Sequence, residues 1–180
     1  FPFWRNYFQE LNFRVVLSDP TDYQLTKKSL EIMVAETCFP VELIHGHVNN
    51  LLEKNVDFVF LPFIVNAKGT KTNPTNNPNC PWIQSYPFML RSAFTDTTIR
   101  EKFLTPTLHF RYFGRVLNQE LASFMKEKFG ITKSKTVKAI EVADQQQTIF
   151  ESVLQSRGRV ILENLPADKK AMVILGRPYN

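Results

Sequence analysis

The run Val56-Asp57-Phe58-Val59-Phe60-Leu61-Pro62 restricts this chain more than any other stretch. It is apolar at nearly every position and lacks the in–out alternation of a half-solvated strand. It therefore reads as a strand buried on both faces, closed by Pro62. Strands of that kind belong to parallel sheets with helices on either side. Three other stretches read as strands: 13–17, 102–108 and 170–176, the last of these buried. Val15, Val59 and Ile174 are expected in the central strands.

Helical spacing fills the intervals. The apolar positions Phe3, Trp4, Tyr7, Phe8 and Leu11 mark a first helix, ended by Asn12. Thr21 or Asp22 can cap a second, which runs to about Met33. A third starts near Pro40 and stops at Asn55. A fourth covers 81–94, interrupted or restarted at Pro87. Val116 to Phe129 is amphipathic and stopped by Gly130. Ser134 to Ser156 is the longest, with an end or bend at Arg157-Gly158-Arg159. Strands alternating with helices predict an α/β fold, a layered and mainly parallel sheet of about four strands, Rossmann-like. Residues 1–168 are expected to form one domain with a polar, mobile loop at 66–79. Residues 169–180 would be the last strand and the start of a linker into a second domain.

Charge and composition exclude several functions. The formal net charge is +5, and Lys126, Lys128, Lys133, Lys135 and Lys138 alternate with Glu127 and polar residues. That is a solvated helix surface, not a phosphate-tracking stripe, so no nucleic-acid partner is expected. No apolar run reaches the roughly 18 residues of a membrane span. Two cysteines far apart in the chain do not form a secreted disulfide framework, which favours the cytoplasm. Glycine-rich phosphate loops are absent.

The chemistry concentrates at Cys38-Phe39-Pro40 and His45-Gly46-His47, with a second cysteine in Asn79-Cys80-Pro81. A proline suits the first turn of a helix. Each cysteine therefore stands just ahead of a helix N-terminus, where the helix dipole favours a thiolate or an anionic cluster. Cys38, Glu42 and His45 share one helical face. His45 and His47 project about 200° apart and cannot ligate one metal from a regular helix. His47 reads as a packed or surface histidine, and Gly46 as a point of close approach. Three readings stand at this point. Cys38 and Cys80, with His45, hold a cofactor; or the thiols are two ordinary buried cysteines; or Cys38 is a nucleophile with His45 as its base.

Several segments carry a resemblance: Phe1-Pro2-Phe3-Trp4, Glu36-Thr37-Cys38-Phe39-Pro40, His45-Gly46-His47, Asp57 to Pro62, Asn79-Cys80-Pro81 with Gln84-Ser85-Tyr86-Pro87, and the closing Gly176-Arg177-Pro178-Tyr179-Asn180. Together they resemble the acyl-CoA dehydratase activase-related proteins, the CoA-substrate-specific enzyme activases. The resemblance implies a 2-hydroxyacyl-CoA dehydratase-like region that follows ATP-binding activator modules and has no turnover by itself. Cys38 and Cys80 would be metal ligands on the side of a 4Fe-4S cluster used for electron transfer, bound in the full-length protein and not in this piece. Partners would be other domains of the same polypeptide and an acyl-CoA dehydratase. The chain departs from that pattern at Phe63, where some relatives carry a cysteine, and at Glu42, where many carry a lysine. The alternative is a structural or docking module with vestigial cysteines.

Overall fold

The structure, a computed structural model, describes residues 2–69, 78–166, 168–172 and 174. It divides into two compact units, one of residues 1–15 with 137–180 and one of residues 16–136.

In the first unit, α1 (Pro2–Glu10) buries Phe3 and Tyr7. It ends as the sequence predicts. Asn12 takes a left-handed φ of 65°. Its N–H donates to the Gln9 carbonyl at 2.9 Å, and the Phe13 N–H donates to the Phe8 carbonyl at 2.9 Å. The Phe8 and Phe13 rings meet edge-on at 5.8 Å, which supplies the apolar clasp usual in this type of helix end. α7 (Lys133–Glu163) runs unbroken through Gly158, and its Ala139, Ile140 and Ala143 are buried.

The second unit opens with α2 (Tyr23–Ile32), whose Asp22 cap accepts a hydrogen bond from the Leu25 N–H at 2.8 Å. α3 (Phe39–Glu53) follows, ended by Asn55 at φ 53°. Then come β1 (Val59–Phe60), β2 (Phe63–Asn66), α4 (Pro81–Ala93), α5 (Thr97–Glu101), β3 (Phe103–Leu104) and β4 (Thr107–His109). A short 3-10 turn (Phe110–Tyr112) leads to α6 (Val116–Phe129), stopped by left-handed Gly130. α4 is continuous despite Pro87, which is buried inside it.

The fold is mixed α/β with parallel pairing, but the expected single sheet of about four strands is replaced by two two-stranded parallel sheets, β1–β3 and β2–β4. The partner offset is the same in both, with Val59 opposite Phe103 and Phe63 opposite Thr107. Leu61 N–H donates to the Leu104 carbonyl, and Phe63 N–H to the Pro106 carbonyl, each at 2.8 Å. The two sheets are thus successive lengths of one ribbon. Pro62 does not close the strand as expected, because the donors facing the partner are the alternate residues Val59, Leu61 and Phe63. The rung that cannot form is the one from residue 106, a proline without an N–H.

Three further expectations change. Phe58 is 47% exposed and packs edge-on against Phe129, so the buried strand begins at Val59 and not at Val56. Residues 13–17 form no strand, and Val15 is only half-buried. Ile174 is 86% exposed, and 168–172 form no strand. An apolar run becomes a strand only where a neighbour takes up its backbone groups, and among the described residues neither stretch meets one. Residues 70–77 of the expected mobile loop, and 173 and 175–180 of the expected last strand, lie outside the described residues.

α3 and α4 cover the ribbon. Val48 and Leu90 pack with Val59, Leu61, Phe94 and Phe103 into the core. α2 lies against α3 through Gly46. A Cβ built on that glycine overlaps Ser29 Oγ and stands 2.6 Å from the Leu25 carbonyl and 3.2 Å from Leu25 Cδ2. Gly46→Ala must push a backbone carbonyl aside, so it should cost about 1–3 kcal/mol of unfolding free energy. Urea melts of the two proteins measure this, and equal midpoints would show that α2 is not seated there.

Candidate functional site

Cys38 is the N-cap of α3, with Pro40 in the first turn, as the sequence predicts. The thiol makes no capping hydrogen bond. The neighbouring loop is held instead by Glu42, whose Oε1 accepts the Thr37 N–H at 2.8 Å. That accounts for a 9% exposed carboxylate in the first turn, where the free N–H groups of the helix favour negative charge.

His45 lies on the same helix and is 2% exposed. Its Nδ1 is 3.0 Å from the Glu42 carbonyl oxygen, which can only accept, so Nδ1 carries the proton. Nε2 then bears a lone pair. That nitrogen is buried and has no hydrogen-bond partner among the described residues. Burial holds the imidazole below its ordinary pKa, despite the opposing pull of the Glu42 carbonyl and carboxylate. The group is a neutral, buried acceptor. No hydrogen bond joins Cys38 to His45 among the described residues, so the structure offers no activated Cys–His pair.

His47 leaves that face, as its spacing requires, and acts as a clamp. Ser18 Oγ is 2.8 Å from its Nδ1, and Thr21 Oγ1 is 3.1 Å from its Nε2. A turn further along, Asn50 Oδ1 accepts the Asp19 N–H at 2.9 Å and its Nδ2 donates to Asp19 Oδ2 at 2.9 Å. Lys54 Nζ then reaches Asp19 Oδ1 at 2.7 Å and the Leu17 carbonyl at 2.9 Å. These hydrogen bonds from Lys54 and Asn50 hold the Asp19 carboxyl below the usual carboxylate range. The segment 17–21 is therefore fastened to α3 by side chains at i, i+3 and i+7. Nothing local to that segment in the sequence identifies His47 as its anchor.

Cys80 is the N-cap of α4 and stands at the C-terminal end of β2. Asn79 ties it there: its N–H donates to the Val65 carbonyl at 3.1 Å, and its Nδ2 donates to the Ile64 carbonyl at 2.9 Å. Gln84 Nε2 closes the loop on the Asn79 carbonyl at 2.7 Å. Both thiols are half-buried.

A pair that sequence reasoning missed lies at the same end of the ribbon. His109 is the last residue of β4, opposite Asn66. The Glu120 carboxylate takes its backbone N–H at 2.9 Å and approaches its ring Nδ1 at 2.6 Å. A carboxylate on Nδ1 fixes the tautomer and leaves Nε2 as the basic nitrogen. The only sequence signal was a histidine closing an apolar strand, which the spacing to Glu120 does not strengthen. No group of three or more His, Cys, Asp or Glu side chains positioned for a metal occurs among the described residues. No helix among them is long and apolar enough to cross a membrane.

The family model of the CoA enzyme activase uncharacterised domain matches residues 1–180. No curated protein and no solved structure matches the chain.

Burial lowers the pKa of both His45 and His47 from the ordinary 6.5. The unfolded chain therefore binds protons that the folded chain refuses. Stability should be full above 6.5 and should fall as the pH drops below it. Urea titrations from about pH 5 to about pH 7.5 should show this slope, and His47→Gln should reduce it. A slope unaltered in that variant would assign the proton uptake elsewhere.

Proposed function

We propose, from the premise that the chain belongs to the CoA enzyme activase uncharacterised domain family, that it is a non-catalytic, dehydratase-like domain of an ATP-dependent acyl-CoA dehydratase activating system. It offers one edge of its parallel ribbon, bearing Cys38 and Cys80, to the rest of that system. The observation that carries the reading is that both cysteines are N-caps of the helices packed on the ribbon. Cys80 adjoins the C-terminal end of β2. α3 turns back into β1 through a short connection, so its N-terminus and Cys38 belong toward that same edge. Ligand sites of parallel α/β sheets collect at this edge.

The donor set tests the cofactor that the resemblance implies. A 4Fe-4S cluster takes four cysteine thiolates, and a variant centre can substitute histidine. This chain has two cysteines, and its described residues contain no ligand group of three. The residues present do not complete a cluster, so no electron-transfer step is derived from them. They fit at most half a ligand set, with the rest supplied by other domains of the same polypeptide or by a dehydratase partner. The buried, unpartnered Nε2 of His45 supports a site wall on this side of α3.

A second reading, a docking module whose thiols bind nothing, is favoured by Glu42, whose side chain holds the Thr37 N–H beside Cys38 and would put negative charge next to an anionic cluster.

Anaerobic iron–sulfur reconstitution of the full-length protein separates the two. Under the first reading, Cys38→Ala and Cys80→Ala should each lower bound iron and the cluster's visible absorbance while leaving the far-ultraviolet circular dichroism unchanged. Iron content equal to that of the unaltered protein in both variants would leave the docking role alone.

A further inference from the structure

α7 changes character along its length. Ala139, Ile140 and Ala143 are buried, and Lys138 Nζ pairs with Glu10 of α1 at 2.9 Å. At about 100° per residue, Phe150, Leu154 and Ile161 continue the same face. Yet they are 43%, 53% and 66% exposed. Exposed Val153 and Val160 widen the strip. A contiguous apolar strip of this kind on a long helix marks an interaction surface.

The charges on the strip say what covers it. Arg157 lies within it, between Leu154 and Ile161. Covering the strip removes that guanidinium from water, which is costly unless a carboxylate meets it. The helix carries such a carboxylate at the matching position. Glu151 precedes Leu154 by the same interval at which Arg157 follows it. Two copies of α7 laid antiparallel, with a two-fold axis at Leu154, set Glu151 of each opposite Arg157 of the other. The same register sets Phe150 opposite Gly158, where a Cβ would have no atom within 4 Å. A glycine inside a helix is destabilising relative to alanine, and in this register it would leave a hollow for the phenyl ring.

We propose that the exposed face of α7 is covered by a second copy of this chain, in an antiparallel two-fold pairing centred on Leu154. A two-fold interface must be self-complementary, and this register matches Glu151 with Arg157 and Phe150 with Gly158. The inference does not depend on the function proposed above.

Sedimentation equilibrium of the chain tests it. The unaltered chain should be a dimer at tens of micromolar, and Leu154→Lys should be a monomer with unchanged helical circular dichroism. Glu151→Arg and Arg157→Glu should each weaken dimerisation by about tenfold, the scale of a central interface residue. The two combined should recover affinity to within about threefold of the original, because the exchanged charges meet again. A monomeric unaltered chain at about 100 µM, well above a micromolar dissociation constant, would overturn the proposal. So would a dimer that survives Leu154→Lys, or a combined variant no stronger than either single one.

Discussion

The close approach of α2 and α3 at Gly46 is the contact on which the placement of the candidate residues depends. Ser29, fully buried, shares its one hydroxyl proton between the Leu25 carbonyl at 2.9 Å and the Leu43 carbonyl at 3.2 Å, and accepts the Gly46 N–H at 3.0 Å. One hydroxyl thus bonds backbone of both helices, at a distance that no side chain larger than hydrogen on residue 46 permits. The two histidines that flank this glycine point to different environments because they stand two apart on the helix. His45 is carried into the interior, and His47 reaches the 18–21 turn. Moving α2 outward by a methyl radius would stretch the Ser29 hydrogen bonds to Gly46 and Leu43.

The ribbon supplies the second constraint. Two parallel strands with one missing rung are a narrow platform, and three elements complete it. α3 and α4 cover it, and Asn79 stitches the return of the chain onto the carbonyls of Ile64 and Val65. The outcome is that several chemically capable groups stand at element ends: Cys38 and Cys80 at helix N-caps, and His109 at the end of a strand. These are the places where backbone groups lack intrachain partners, and where a side chain can meet a ligand without disturbing the core.

Local features were legible in the sequence because their physics is local. Asp22, Pro40, Asn12, Asn55 and Gly130 mark helix ends through hydrogen bonds that reach three to five residues along the chain. The position of each cysteine before a helix followed from the proline beside it. The opposite directions of His45 and His47 followed from helical geometry alone. Gly46 was readable as a point of close approach, although not what approaches it.

Strands and side-chain partnerships were decided by the tertiary structure. Residues 13–17 are more apolar than 102–108, yet only the second stretch pairs, because a strand exists where a neighbour supplies its hydrogen bonds. Which proline interrupts the ribbon depends on which face of each strand meets the other, and that fixes Pro106 and not Pro62. The His109–Glu120 and His47–Ser18 contacts join residues on separate elements, so no periodicity encodes them. The sequence by itself determined where helices begin and end and that a parallel α/β core would form; only the packed structure decided which apolar runs became strands and which histidines were clamped, because those outcomes rest on contacts between distant parts of the chain.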